Sequence, residues 1–143
     1  PEDRFGAFLD EIFAEAALYG EAPATCGAVA GVAQLRAAGH GVVGITARPA
    51  QLAEITAGWL AATGLVLDEV HHTRVGAKAA VAASLGVEAT VEDNPAEAEQ
   101  LAAVCRSYLL DHPYNRDAVL VRAQRIHSWD ELVGRLCQLR LFA

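Results

Sequence analysis

The sequence predicts an α/β domain in which helices cover a parallel sheet, and three observations support that prediction. From Gly39 onward, short β-branched runs alternate with alanine-rich segments, the pattern of strand-helix-strand units. The first predicted strand, residues 42–45, is apolar throughout, as expected when helices cover both faces of a sheet. The 143 residues also match the usual size of one domain with its own core.

Two helices are predicted after this first strand. Pro49 opens the first helix, because proline is favoured at the first helical position, and Gly64 ends it. A second apolar run covers residues 65–70, and the next helix covers about 77–85. The apolar face predicted for the first of these helices consists of Leu52, Ile55, Trp59 and Leu60.

The remaining elements are placed by local signals for helix starts. A strand at residues 89–91 leads to Asn94 as a helix cap and Pro95 as the first helical residue. The next strand covers residues 107–110, and a capping box from Ser128 to Glu131 starts a final helix. The inward side chains expected on the last two helices are Leu101, Ala102, Cys105, Leu132, Val133 and Leu136.

The first 38 residues differ from the rest because they predict helices with no preceding strand. Phe5, Phe8 and Phe13 belong to an amphipathic pattern, and residues 23–38 predict a second helix. The sequence begins at Pro1 without an initiator methionine or a secretory signal. We therefore expect that a segment upstream of Pro1 has been removed or omitted.

Composition excludes several classes of partner. A net charge of -7 with eleven Lys plus Arg residues opposes binding to DNA or RNA polymers. No apolar stretch approaches the roughly 20 residues that cross a bilayer, so no membrane partner is expected. The three cysteines form neither a C-x-x-C pair nor a disulfide framework, which favours a reducing cytoplasm.

Polar residues at the carboxyl ends of parallel strands are the candidates for chemistry, because ligands bind at that edge. The Thr46 hydroxyl and the Ala47 backbone N–H could hold a phosphate oxygen, although strand-end capping also explains Thr46. Lys78 opens a helix where a cation opposes the helix dipole, with a solvated surface lysine as the alternative. Glu92 and Asp93 offer oxygen ligands for Mg²⁺, or simply an acidic helix start.

The order and spacing of these residues resemble three motifs of the haloacid-dehalogenase phosphatases. The matching segments are residues 45–49 (Ile-Thr-Ala-Arg-Pro), Lys78, and residues 91–95 (Val-Glu-Asp-Asn-Pro). Further likeness to the 5'(3')-deoxyribonucleotidase branch lies in residues 55–60 and 108–115. The resemblance implies a Rossmann-like fold with a small helical cap. It divides the chain into a cap remnant, residues 1–24, and a core, residues 25–143, that lacks its first strand.

The resemblance also implies a set of roles. Thr46 and Ala47 would bind the transferring phosphoryl group, Lys78 would steady both this group and the nucleophile, and Asp93 with help from Glu92 would hold Mg²⁺. The family's nucleophile belongs to an Asp-x-Asp motif, which occurs nowhere in this sequence. The implied activity is therefore a Mg²⁺-dependent phosphomonoesterase acting on a nucleoside monophosphate in the intact protein, with this fragment inactive alone.

Two alternatives stay open at this stage. The chain could be a non-catalytic relative that binds phosphate or forms oligomers, with a homodimer as one form. It could instead be a phosphatase for sugar phosphates or other small metabolites, since cap loops choose the substrate. In either case, loss of a central strand should leave the neighbouring strands with unpaired backbone groups, which unseen residues or a partner chain would fill.

Several conspicuous residues are predicted to be structural. His71 and His72 are adjacent in a strand, so they point to opposite faces and cannot share a metal unaided. Asp111 lies after the fourth motif and not before the second, so it is not the nucleophile. Tyr114 and Asn115 could reach a substrate, although residues 113–115 also predict a turn with Tyr114 as an aromatic plug. The tryptophans Trp59 and Trp129 lie on apolar helix faces and are predicted to pack.

Overall fold

A computed structural model describes residues 18–139, and this part of the chain has the predicted α/β architecture with parallel strands. Residues 18–21 are helical, and residues Ala50–Leu52 form a 3₁₀ turn. The strands are β1 (Val43–Thr46), β2 (Glu69–His72), β3 (Ala89–Glu92), β4 (Arg106–Leu110) and β5 (Gln124–Ile126). The helices are α1 (Ala28–Ala37), α2 (Ala53–Thr63), α3 (Lys78–Leu85), α4 (Pro95–Leu101) and α5 (Trp129–Leu139).

The strands form two parallel sheets. β1 pairs with β2, with Thr46 opposite His72, and the other sheet has the order β3-β4-β5. Glu92 at the end of β3 lies opposite Leu109, and Leu110 at the end of β4 lies opposite Ile126. Within residues 18–139, β1 and β3 each have one strand neighbour.

Helices cover both faces of the larger sheet. Successive strand residues point to opposite faces, and β4 shows this alternation. Tyr108 and Leu110 pack with Ile126 and Leu132 in one apolar cluster, so α5 covers that face. Leu109 packs with Ala98 in a second cluster, so α4 covers the other. α1 packs against α5, and α3 packs against α4, which gives a three-layer arrangement.

The predicted helix starts agree with the structure where a local cap defines them. The Asn94 side chain accepts hydrogen bonds from the N–H groups of Ala96 and Glu97, at 2.9 and 3.3 Å. The Ser128 hydroxyl accepts from the Glu131 N–H at 3.1 Å, and the Glu131 carboxylate accepts from the His127 N–H at 2.8 Å. Both satisfy N–H groups that a helix leaves without an internal partner.

Other boundaries differ from the sequence prediction. The helix expected from residue 23 begins at Ala28, after Gly27 takes a positive φ of 82° that is unsuited to a helix interior. The apolar run at residues 65–70 becomes strand only from Glu69 onward, and Pro49 precedes a 3₁₀ turn instead of opening α2. β5 was not predicted. The amphipathic pattern of Phe5, Phe8 and Phe13 lies outside the described residues.

The buried face of α2 also differs from the prediction. Leu52, just before α2, is buried, whereas Ile55, Trp59 and Leu60 are only half-buried. Thr56 is the buried residue within α2, so the apolar spacing identified the helix but not its packing. No helix between residues 18 and 139 has the length and apolar character that a membrane span needs.

Candidate active site

The candidate residues lie at the carboxyl edge of the strands. The Thr73 N–H donates to the Thr46 carbonyl at 2.8 Å, so the ends of β1 and β2 lie together. Residues 73–77 then lead to α3, and the Gly76 N–H in this loop donates to Glu97 Oε1 of α4 at 2.7 Å. Because α4 begins just after β3, these short links bring the ends of β1, β2 and β3 to one edge.

Lys78 and Glu92 form an ion pair at this edge. Lys78 is the first residue of α3, and Glu92 is the last residue of β3. Their side chains are 14% and 9% exposed, respectively, so Lys78 is not the solvated surface lysine of the alternative interpretation. The Glu92 carboxylate supplies the negative charge that a partly buried ammonium group needs.

Asp93 lies beside this pair but has other partners. Its side chain is exposed, and Asp93 Oδ2 accepts a hydrogen bond from the Tyr114 hydroxyl at 2.5 Å. Desolvation raises the pKa of the Tyr114 phenol, and the hydrogen bond to Asp93 and the charges of Asp93 and Glu92 raise it further. The Tyr114 hydroxyl is thus a hydrogen-bond donor to the Asp93 carboxylate.

Asn115 fixes the backbone beneath Asp93. Its side chain is buried, and Nδ2 donates to the carbonyls of Asp93 at 2.8 Å and Leu110 at 2.9 Å. Its Oδ1 accepts from the His112 N–H and from Arg125 Nη1. One amide thus joins the ends of β3 and β4, which makes Asn115 a positioning residue for this edge.

A pocket of about 250 Å³ connects the charged residues. Lys78, Glu92 and Asp93 line it, together with residues that sequence reasoning did not assign to the site: Thr25, Val91, Leu110, His112 and Trp129. Thr46 and Ala47 are not among the lining residues. The Thr46 hydroxyl accepts a hydrogen bond from the Arg48 N–H at 3.2 Å, so it caps the end of its strand.

The metal prediction is only partly matched by the side chains. The two adjacent carboxylates do not converge, because Glu92 faces Lys78 and Asp93 faces Tyr114. Within residues 18–139, no three His, Cys, Asp or Glu residues are grouped as a metal site. Mg²⁺ usually takes one or two protein carboxylates with water and substrate phosphate. Asp93 fits one such ligand, whereas the Glu92 carboxylate is already paired with Lys78.

The residues predicted to be structural have structural contacts. Asp111 accepts from Arg116 Nε at 2.9 Å and from Arg125 Nη1 at 3.0 Å. His71 contacts Glu69, whereas His72 contacts the Arg48 carbonyl, so the two rings point apart as predicted. Tyr114 is 68% exposed, so its prediction as an aromatic plug is wrong, since the neighbouring Asn115 takes the buried position.

Sequence reasoning also missed the surroundings of Arg48. Its guanidinium lies 4.6 Å from the ring centre of Tyr19 and 5.2 Å from that of Trp59. Burial lowers the pKa of Arg48. The indole Nε1 of Trp59 donates a hydrogen bond to the Ala22 carbonyl at 2.6 Å. Trp59 therefore packs, as predicted, but it packs against a cation.

Comparisons with protein-family models, with curated proteins and with solved structures gave no match to this chain.

Proposed function

We propose that the intact protein is a Mg²⁺-dependent phosphomonoesterase of the haloacid-dehalogenase type, acting on nucleoside monophosphates through an aspartyl-phosphate. One observation carries this proposal: Lys78, Glu92 and Asp93 meet in a single pocket at the carboxyl edge of a parallel sheet. That edge is where α/β folds bind ligands. The sequence separates these residues by up to fifteen positions, so their meeting is a property of the fold.

Each residue has a role that its contacts support. Lys78 is the cation that would bind a phosphate group, and Glu92 holds its ammonium group in place. This gives Glu92 a positioning role in addition to its proposed part in holding Mg²⁺. Thr46 and Ala47, at the same edge, would supply hydroxyl and N–H donors to the phosphoryl oxygens.

Asp93 is the residue that would hold Mg²⁺, and the Tyr114 hydroxyl orients its carboxylate. The metal ion, when bound, would neutralise charge on the phosphoryl oxygens. The nucleophilic aspartate of the resemblance is not among residues 18–139, so the chain as given is expected to be inactive alone. The activity belongs to a form that also contains the Asp-x-Asp segment.

The direct test is phosphate release from a panel of nucleoside monophosphates and sugar phosphates. The protein should be the form that includes the Asp-x-Asp segment, first with Mg²⁺ and then with EDTA. Release that the chelator abolishes would support the phosphatase and rank its substrates. Absence of release from every substrate would reject it.

The substitution Asp93→Asn tests the metal ligand. We expect Mg²⁺-dependent turnover to fall about 10- to 100-fold or more, because an amide is a weaker Mg²⁺ ligand than a carboxylate. The melting temperature should change little, since the Asp93 side chain is exposed. Asp117→Asn is the matched control, because Asp117 is exposed and removed from the pocket. Turnover that is equal in the two variants would contradict the assignment.

A non-catalytic phosphate-binding module is the second candidate, because Lys78, held in place by Glu92 at the strand edge, could bind a phosphate group without any nucleophile. In this case, the 143-residue chain would bind inorganic phosphate, and Lys78→Met would abolish binding, yet no substrate would be hydrolysed. Turnover of any phosphomonoester would exclude this candidate.

A further inference from the structure

Glu97 of α4 is a buried carboxylate to which the proposed function gives no role. It is 4% exposed, and its Oε1 accepts a hydrogen bond from the Gly76 N–H at 2.7 Å. Its Oε2 is buried and has no hydrogen-bond partner within residues 18–139. Burial of a carboxylate costs free energy unless a specific contact uses its charge. The contact with Gly76 is therefore the one that can explain why a glutamate lies here.

The local sequence predicts a different partner for this side chain. Asn94 caps α4, and Glu97 follows three residues later, which is the spacing of a capping box. In a capping box, the glutamate reaches back to the N–H of its own cap residue. Glu97 turns instead to Gly76, which belongs to the loop of residues 73–77 before α3. The carboxylate thus links the start of α4 to the start of the neighbouring helix.

The start of α3 has no side-chain cap of its own. Ala77 is the cap residue, and its side chain makes no hydrogen bond to the helix. Residues 74–76 are exposed, so packing does little to hold this loop. The Thr73 N–H donates to the Thr46 carbonyl at 2.8 Å, which fixes the beginning of the loop. The hydrogen bond to Glu97 fixes its end.

The position of Lys78 depends on how this loop ends. Lys78 is the first residue of α3 and lies two residues after Gly76. A lysine at this end of a helix opposes the helix dipole, whereas a carboxylate near the same end complements it. Glu92 pairs with the Lys78 ammonium group. Glu97 holds the backbone from which the same side chain extends.

We propose that Glu97 is a positioning residue for Lys78. By accepting the Gly76 N–H, its carboxylate fixes the loop before α3 and so keeps the Lys78 ammonium group beside Glu92 in the pocket. Glu97 itself does not line that pocket. Its effect on phosphate binding rests on the proposed function, whereas its effect on the position of Lys78 does not.

The sequence supplies a direct probe of this effect, because Lys78 is the only lysine in the chain. Its side chain is 14% exposed and paired with Glu92, so an amine-acylating ester should modify it slowly in the 143-residue chain. Mass spectrometry of the peptide that contains Lys78 gives the rate of acylation. That rate measures how firmly the ammonium group is held in the pocket.

Three variants separate the contact from general loosening. Glu97→Met removes the acceptor but suits a buried position, and acylation of Lys78 should become about tenfold faster, the effect of one lost hydrogen bond to a charged group. Glu97→Gln keeps an oxygen acceptor for the Gly76 N–H, so its rate should stay within about twofold of the original. Glu99→Met is the matched control, because Glu99 of the same helix accepts from the N–H groups of residues 121–123 at 2.8–3.1 Å. Its acylation rate should also be unchanged.

Three results would overturn the proposal. The first is an unchanged acylation rate in Glu97→Met. The second is a rate in Glu97→Gln as high as that in Glu97→Met, because the hydrogen-bond acceptor would then be irrelevant. The third is an equal increase in Glu99→Met, which would show that any damage to α4 releases Lys78. None of these measurements uses phosphate release, so the position of Lys78 and the proposed phosphatase can fail independently.

The same variants test the effect on phosphate in the form that contains the Asp-x-Asp segment. Glu97→Met should lower kcat/KM about tenfold, since the phosphate would lose a well-placed cation, and Glu97→Gln should restore it. Faster acylation with an unchanged kcat/KM would overturn this second part of the proposal. If no phosphomonoester is hydrolysed by this form at all, the proposed function fails, and the acylation rates still decide whether Glu97 positions Lys78.

Discussion

The β3-β4-β5 sheet and the β1-β2 sheet differ in how completely they are buried. Four of the five residues of β4 are buried, whereas all four residues of β1 are half-buried. β4 has a strand on each side and helices on both faces, whereas β1 has one strand neighbour among the described residues. The comparison shows that a strand in this fold owes much of its burial to the strands beside it.

The two sheets also differ in polar contacts. In the larger sheet, Arg125 of β5 donates to the side chains of Asp111 and Asn115 and to three backbone carbonyls of residues 115–118. Asn115 completes the network by joining the ends of β3 and β4. The larger sheet therefore has both a buried apolar core and a hydrogen-bonded edge that shapes the candidate site.

The largest expected effect compares core truncations in the two sheets. Leu109→Ala, at a residue with 0% exposure, should lower the free energy of unfolding by about 2–5 kcal/mol. Ile45→Ala in the half-buried β1 should cost less than half as much, since less apolar surface is lost from the core. Denaturant unfolding measures both. Equal losses would show that the two sheets are buried alike.

A smaller effect compares two glycines within helices, one of which lies where α1 meets α5. A Cβ at Gly31 would lie 2.7 Å from Cε3 of Trp129, whereas a Cβ at Gly58 would meet nothing within 4 Å. Gly31→Ala should therefore destabilise the protein by about 1–3 kcal/mol through overpacking. Gly58→Ala should stabilise it by about 0.5–1 kcal/mol, because alanine favours helix.

Thermal unfolding of the two glycine variants distinguishes a tight helix contact from a loose one. Melting-temperature shifts of opposite sign would support a tight contact between Gly31 of α1 and Trp129 of α5. A stabilising shift in both variants would contradict it.

The smallest expected effect is a change in the pH dependence of stability, caused by Asp111 at the end of β4. The hydrogen bond from Arg116 holds the pKa of Asp111 below its ordinary value, against the opposing effect of desolvation, and the charges of Arg116, Arg125 and His127 lower it further. Because the folded pKa is depressed, the stabilisation is complete above the ordinary value of about 3.9 and is lost as the pH falls through the folded pKa. Asp111→Asn should reduce the loss of stability on acidification, measured as the free energy of unfolding between about pH 6 and about pH 2. An unchanged pH profile would show that the Arg116 contact does not persist in solution.

Sequence reasoning succeeded where the signal is local. Asn94 and Ser128 mark helix starts because a cap needs only the next few residues. β5 was missed because two of its three residues, Gln124 and Arg125, are polar and only Ile126 is apolar. Its strand conformation depends on pairing with β4, which no short window of sequence contains.

Sequence reasoning predicted that the site residues share one edge, but not how their side chains pair. The order of Thr46, Lys78 and Asp93 along the chain predicted one shared edge, and the fold brings Lys78, Glu92 and Asp93 into one pocket. The pairing of Lys78 with Glu92 depends on how α3 packs beside β3, so the sequence could not distinguish a metal ligand from a lysine partner. The exchange of roles between Tyr114 and Asn115 likewise depends on contacts between distant strand ends.

Residue-resolved amide exchange of the 143-residue chain tests the two-sheet arrangement most directly. β4 is hydrogen-bonded on both sides, so its amides should be protected without interruption. β1 and β3 have one neighbour each among the described residues, so protected and fast-exchanging amides should alternate along them. Uninterrupted protection along β1 and β3 would contradict the division of the strands into two separate sheets.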